Sequence, residues 1–281
     1  MMNVTCRFSP IRQITFILDL AEVHMPERFS RAKRFYLGHS HRTTLSCSHA
    51  VISISRSTRN DLLKLFPEFD SKIKVIPLGF KKAGDAVSNT DTTSILTKHA
   101  LKDYFLFVST LEPGKNLPRL VRAFKHFSEN HPDWTLVLAG ARGWGCNDVF
   151  RLIADLGLGQ RVKYVGYVTE HELHELYRNC RGFVFPSLYE GFGLTLLEAM
   201  QYFVPVLTSN CSSLPEVGGD GAVYCNPNDP EDIYKGMLQL LDIDKSKLVS
   251  AYKKQLEYYT WDNSALAVKK ILEETLERGK S

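Results

Sequence analysis

No Cys-x-x-Cys pair occurs in these 281 residues; the six cysteines stand far apart, at 6, 47, 146, 180, 211 and 225. That spacing excludes paired-thiolate zinc and redox motifs and leaves reduced thiols as the simplest account. No group of His, Cys, Asp and Glu has metal-ligand spacing, so no metal is expected in the chemistry. No apolar run approaches the roughly 20 residues of a membrane span. The stretch Ile14-Thr15-Phe16-Ile17-Leu18 is stopped by Asp19 and fits a core strand. No convincing signal peptide precedes it, which points to the cytoplasm. Internal repeats and low-complexity tracts are also missing.

What is present is an ordinary soluble composition, 44% hydrophobic and 11% aromatic, in a chain long enough for two domains. The net charge is +4, and all of it resides in residues 1–45. There Arg7, Arg12, Arg28, Arg31, Lys33, Arg34 and Arg42 face Asp19, Glu22 and Glu27, seven against three, so the remainder is formally neutral. A basic first segment suits an anionic membrane surface, here the inner face, or a phosphate-bearing acceptor. The plain alternative is a solvated helix face. Nucleic acid is not expected, because no recognised binding motif accompanies the charge.

Strand-like and helix-like segments alternate, which predicts α/β architecture with parallel sheets. Strands are read at 12–18, 50–54 and 72–76, with helices at 27–48 and 55–66. The first of these helices rests on Phe29, Ala32 and Tyr36 at helical spacing. Residues 80–103 are polar and read as a connection. A second series follows, with strands at 104–109, 134–139, 161–165, 182–185, 204–208 and 222–225. Its helices are read at 117–130, 147–156, 170–179 and 193–201, and 229–279 reads as mostly helical. The domain reading is therefore 1–80, then 81–257, with 258–281 a terminal helix packing back toward the first domain.

In open parallel sheets ligands bind beyond the carboxyl ends of the strands. Four loops fall there: Ser109 to Asn116, Gly140 to Gly145, Gly166-Tyr167-Val168, and Pro186 to Gly193. The last continues as Pro-Ser-Leu-Tyr-Glu-Gly-Phe-Gly-Leu-Thr-Leu-Leu-Glu-Ala-Met, residues 186–200, with carboxylates Glu190 and Glu198 bracketing a Gly-x-Gly turn. Such a turn at a helix opening aims backbone N–H groups at one spot, which suits a phosphate or a hydroxyl-rich ligand. Taken alone, a glycine pair at a strand–helix junction is equally a tight turn.

The whole motif resembles the donor-site signature of the retaining GT-B glycosyltransferases of family 4, over roughly residues 12–260 and most strongly from Tyr104 to Pro227. The resemblance implies two Rossmann-like domains, the first one shortened. It implies transfer of a hexosyl unit from a nucleoside-diphosphate sugar to a glycan or lipid-linked acceptor, without a bound metal or other cofactor. Lys115, in Leu-Glu-Pro-Gly-Lys-Asn at 111–116, would be the donor-phosphate lysine, flanked by Thr110 and Asn116. Gly191, Phe192 and Gly193 would present backbone N–H groups to the donor, with Leu194 and Thr195 following at the helix opening. Glu190 would stand against the transferred sugar as the catalytic residue, Glu198 on the ribose hydroxyls, and Gly166, Tyr167 and Val168 beside the nucleobase. The family's segment after the donor helix is matched by Ser209 to Glu216.

Three departures stand out. Thr110 replaces a common arginine, as it does in a mannosyltransferase-like subset, but Gly114 stands where that subset has a second basic residue. Leu18, in Ile-Leu-Asp-Leu, replaces a histidine usually found near the donor sugar. Residues 1–80 are also about half of what generally precedes the connection in this family, which leaves three readings: a partner chain completes the first domain, the gene product is longer, or this copy is degraded. The competing function is a non-catalytic nucleotide-sugar-binding remnant or subunit. A glycoside hydrolase using Glu190 and Glu198 leaves the Lys115 loop without a role.

Overall fold

The computed structural model describes residues 11–84 and 94–277. The first elements are β1 (Ile14–Ile17), α1 (Ala21–His24), α2 (Arg31–Cys47), β2 (Ala50–Ser53), α3 (Arg56–Leu65), β3 (Ile73–Val75) and α4 (Ile95–Lys98). The chain continues through β4 (Tyr104–Val108), α5 (Leu117–Asn130), β5 (Thr135–Ala139), α6 (Cys146–Asp155), β6 (Val162–Gly166), α7 (Glu170–Asn179) and β7 (Gly182–Phe185). It ends with α8 (Leu194–Met200), β8 (Val206–Ser209), α9 (Leu214–Gly218), β9 (Val223–Cys225), α10 (Pro230–Leu241), α11 (Lys245–Tyr258) and α12 (Trp261–Glu277). Both sheets are α/β and wholly parallel, as the alternating pattern predicts. Among the described residues no helix is long and apolar enough to cross a membrane.

Two compact units result. The first holds the described residues up to Phe80, the loop Tyr189–Gly193 and the chain from Glu257 onward. Its sheet runs β1-β2-β3, with Ile14 opposite Ala50 and Val51 opposite Ile73. Ile17, Leu20, Leu45, Val51, Leu62, Phe66 and Ile73 form its core. The terminal helix α12 joins this unit through the Ser264 hydroxyl, which donates to the Pro77 carbonyl at 2.6 Å. Gly79 lies so close to the Trp261 backbone that any β-carbon would approach within 3.0 Å, so only glycine fits.

One expectation in this unit needs correction. The helix read at 27–48 begins at Arg31, after a 3-10 turn over Pro26–Arg28. Ser30 caps it, its side chain accepting from the Lys33 amide at 3.3 Å. Phe29, Ala32 and Tyr36 do not form its buried face; His41, Thr44 and Leu45 do. Of the polar connection at 80–103, residues 85–93 lie outside the described residues, and Ile95–Lys98 forms a short capped helix.

The second unit comprises 81–188 and 194–256. Its six strands run β6-β5-β4-β7-β8-β9. Tyr104, Phe105, Leu106 and Phe107 are all fully buried, as a parallel strand covered on both faces requires. On α5 the residues Leu117, Leu120, Val121, Phe124 and Phe127 recur at helical spacing and supply one cover. The strand order reverses between β4 and β7, since β5 and β6 build out on one side and β8 and β9 on the other. Such a switch point opens a crevice beyond the carboxyl ends of its two flanking strands.

Candidate active site

Within the second unit the two most informative sequence loops emerge at that crevice. After β4 the chain enters a 3-10 turn, Pro113–Lys115, and Asn116 then takes a left-handed conformation, φ 62°. Asn116 is buried, and its amide donates to the carbonyls of Pro186 at 2.9 Å and Pro227 at 2.6 Å. Its side-chain oxygen accepts from Arg119 at 3.1 Å. Both amide hydrogens are therefore committed to carbonyls, and the side chain positions the loop.

The Gly114 carbonyl is similarly engaged. It accepts from the Leu188 amide at 2.9 Å and the Ser187 hydroxyl at 3.0 Å. The loop after β4 is thus laced to the exit of β7, which Ser209 and Thr208 hold from the other side through Ser187 and Phe185 carbonyls. Lys115 is half-buried on this laced loop, its ammonium 5.7 Å from the centre of the Phe185 ring. Thr110 is exposed on the same loop.

The neighbouring loops complete the rim. Leu111 bonds to Ala141 and pairs with Arg142, so the loops after β4 and β5 run together. Gly140 has φ 132° and no room for a β-carbon beside the Ser109 carbonyl. Its amide donates to the Gly166 carbonyl at 2.7 Å. Gly166 closes β6 with φ 79°, Tyr167 is 85% exposed and Val168 is half-buried. An exposed ring on a rim is available for stacking on a flat ligand.

Beyond β7, α8 carries Leu194, Thr195 and Glu198. The Thr195 hydroxyl is buried without a hydrogen-bond partner, an arrangement that costs free energy until a group supplies the bond. Glu198 accepts from the hydroxyl of buried Tyr177 at 3.2 Å. Burial raises the Glu198 pKa above the ordinary glutamate value, and the Tyr177 bond only partly offsets this. A carboxyl of this kind opposes folding once ionised: its stabilising contribution is complete below the unfolded value of 4.5 and is lost as pH rises through the elevated one. Glu198→Gln is therefore expected to raise the melting temperature of the ligand-free protein at neutral pH. The gain should shrink on acidification and vanish below 4.5, which melting curves over a pH series will check. A loss of stability at neutral pH would contradict the assignment.

The loop Tyr189–Gly193, which carries Glu190, is built into the first unit. The Tyr189 hydroxyl accepts from the Leu20 amide at 3.1 Å and donates to Asp61 at 3.5 Å. Its ring stacks on His24, centroids 4.2 Å apart. Asp61 in turn receives His24 at 2.8 Å and Lys64 at 3.1 Å. Gly191 abuts the Leu18 carbonyl and the Asp19 β-carbon, leaving no space for a side chain. Phe192 is buried edge-on against Tyr259, and Gly193 has φ 112°. Glu190 is half-buried. Also in this unit lies a cavity of about 350 Å³ lined by Asp19, Arg28, Phe29, Lys33, Tyr36 and Ser40.

Sequence reasoning passed over several residues that shape these features. Arg119, on the first turn of α5, and Arg142, inside the Gly140 to Gly145 loop, add cations beside the loops after β4 and β5; their basic type at those places was the available signal. Tyr177 and the Tyr189–Asp61–His24 group left no linear signal, because their partners lie far away in the chain.

The sequence profile of glycosyl transferases group 1 matches residues 91–257. The chain is 32% identical over 258 residues to O-antigen chain mannosyltransferase B of Escherichia coli, covering 90% of this chain and 68% of that protein. It is 31% identical over 224 residues to serotype-specific mannosyltransferase WbdA of Escherichia coli, covering 77% of this chain and 28% of that protein. The chain thus spans only part of these relatives. Among solved structures, sucrose-phosphate synthase of Thermosynechococcus elongatus superposes with a TM-score of 0.75 at 20% identity, over 95% of this chain and 68% of that one. HepE of Anabaena, solved with UDP-glucose, gives 0.70 at 20% identity, over 95% and 72%. These two show the shared GT-B fold.

Proposed function

This chain belongs to the family of glycosyl transferases group 1, and from that premise we propose that it takes a hexosyl unit, mannosyl first among the candidates, from a nucleoside-diphosphate sugar. The unit passes with retention to a hydroxyl of a glycan or lipid-linked acceptor. The observation that carries this reading is the lacing of the Lys115 loop to the exit of β7 at the switch point, through Gly114 and Asn116. A rigidly backed cation beyond the switch point supports reading Lys115 as the group that faces a diphosphate. The mannosyltransferase relatives support the sugar, and the UDP-glucose complex of HepE supports the donor class.

In this reading the bond from the sugar's C1 to the diphosphate oxygen breaks and a bond from C1 to the acceptor oxygen forms, with release of the acceptor's proton. Charge developing on the diphosphate is held by Lys115, with Arg119 and Arg142 adding positive potential, so the reading needs no metal. Glu198 accepts from the ribose hydroxyls, the Thr195 hydroxyl gains a partner, and Gly166, Tyr167 and Val168 flank the nucleobase. Glu190 faces the transferred sugar, with Gly191, Phe192 and Gly193 presenting backbone N–H groups. The cavity by Asp19, Phe29 and Tyr36 is the acceptor side.

The test joins a thermal-shift screen of nucleotide-sugars to a transfer assay with a radiolabelled donor. Glu198→Gln should mainly raise the KM for donor, and Glu190→Gln should mainly lower kcat. Identical changes in both parameters for both variants would dismiss this division of roles. One feature favours the competing, non-catalytic reading: Leu18 has no hydrogen-bonding side chain where the family has a histidine. Tight donor binding without turnover would select it.

A further inference from the structure

The proposed reaction gives no role to one buried hydroxyl, that of Tyr177. Tyr177 lies in the last turn of α7, and two bonds fix that turn. The Tyr104 hydroxyl on β4 donates to the Leu176 carbonyl at 2.7 Å, and the Cys180 thiol donates to the Tyr177 carbonyl at 3.4 Å. The Tyr177 ring is 1% exposed, stacks on Tyr202 with centroids 5.6 Å apart, and packs against Phe183 of β7 at 5.7 Å. A ring gripped on these sides holds its hydroxyl in one direction. That direction is Glu198, whose Oε2 accepts the bond at 3.2 Å. The other oxygen of this half-buried carboxylate, Oε1, accepts no hydrogen bond from the described residues.

We propose that Tyr177 is a positioning residue for the donor: its hydroxyl anchors one oxygen of Glu198 and leaves the other presented as an acceptor for the ligand's hydroxyl groups. The inference rests on the reading of Glu198 as the ribose carboxylate. Burial, and then the carboxylate beside it, hold the Tyr177 phenol well above its ordinary value, so it donates at any pH at which the protein is handled. Burial raises the Glu198 pKa, and the Tyr177 bond is what opposes it. The other titratable groups nearby are few. Helix α8 carries no second one, β7 and β8 packed against it carry none, and α9 holds Glu216. On α7, His174 bonds the Tyr202 hydroxyl, Arg178 lies over the Tyr202 ring, and Glu175 accepts from the Ile95 amide at 3.2 Å. Without the Tyr177 hydroxyl, burial acts unopposed and Glu198 becomes an ionised acceptor only at higher pH.

The experiment is calorimetric titration of the full chain over a pH series with uridine, guanosine or adenosine diphosphate, whichever the parent binds most tightly. Glu198→Gln is the baseline. The nucleotide's own phosphates titrate alike for every variant, so the ratio of parent to Glu198→Gln affinities isolates the carboxylate. That ratio is expected to rise with pH to a plateau. Tyr177→Phe keeps the ring stack and should move the rise to higher pH, weakening binding about tenfold on its acid side, the effect of a lost hydrogen bond to a charged group. Added to Glu198→Gln, Tyr177→Phe should change affinity by less than about threefold at any pH, because the hydroxyl acts through the carboxylate. Unchanged circular dichroism is the control for folding. A parent-like profile for Tyr177→Phe, or a larger further loss in the double variant, would overturn the proposal while leaving Glu198 in the site. Glu198→Gln binding like the parent at every pH, or a parent that binds none of the three nucleotides, would remove Glu198 from the site and this role of Tyr177 with it.

Discussion

Lys115→Ala is expected to weaken binding of a nucleoside diphosphate by about ten- to a hundredfold, equivalent to roughly 1.5–3 kcal/mol for one charge-assisted contact. The loop after β4 carries this one lysine where related loops have two basic residues, so its loss falls on an already sparse cation set. The structure shows what holds the loop besides this side chain. The loop is held by Gly114 and Asn116, whose partners are Leu188, Ser187, Pro186 and Pro227. None of these bonds involves the lysine ammonium, so truncating it leaves the lacing intact. Calorimetric titration of parent and variant with the same nucleotide provides the measurement, and equal dissociation constants would remove Lys115 from the site. Asn116→Ala makes the contrast: it strands two buried carbonyls and should lower the melting temperature as well as the affinity.

That contrast also marks how far residue patterns reach. The strands and helices of the second unit are legible because each buried run does one thing: Tyr104 to Phe107 is covered on both faces, and the α5 stripe repeats at helical spacing. The spacing of Phe29, Ala32 and Tyr36 looks the same on paper, yet only Phe29 packs, against the small cluster of Ala21, Met25 and Tyr189, while Ala32 and Tyr36 are exposed, because periodicity says nothing about what lies opposite a face. One-turn helices such as α1 and α9 are missed for a different reason. They hold too few residues to show a period, and local turn bonds set their limits. At the candidate site, glycines and carboxylates announce themselves by residue type. The side chains that hold them do not: Tyr177 reaches Glu198 across 21 positions, and Tyr189 reaches Asp61 across 128.

Gly191→Ala is the sharper probe of that hidden layer. A β-carbon at 191 would press on the Leu18 carbonyl and the Asp19 β-carbon at less than 3.0 Å. Neither neighbour is the flexible end of a side chain, so the loop itself must move, and Glu190 is the adjacent residue. Displacing a catalytic group by about 1 Å costs on the order of a hundredfold in rate. The expected result is a kcat for sugar transfer lower by about that factor, with nucleoside diphosphate affinity changed by less than about threefold, because Lys115 is backed by separate bonds. Tyr189→Phe should produce a milder form of the same phenotype. It removes the hydroxyl that the Leu20 amide and Asp61 share but keeps the ring stacked on His24. If Gly191→Ala weakens nucleotide binding as much as it slows transfer, the loop belongs to diphosphate binding and the separate role of Glu190 fails. If it changes neither, the close approach at Leu18 has no bearing on the chemistry, and the glycine is there only to let the chain pass.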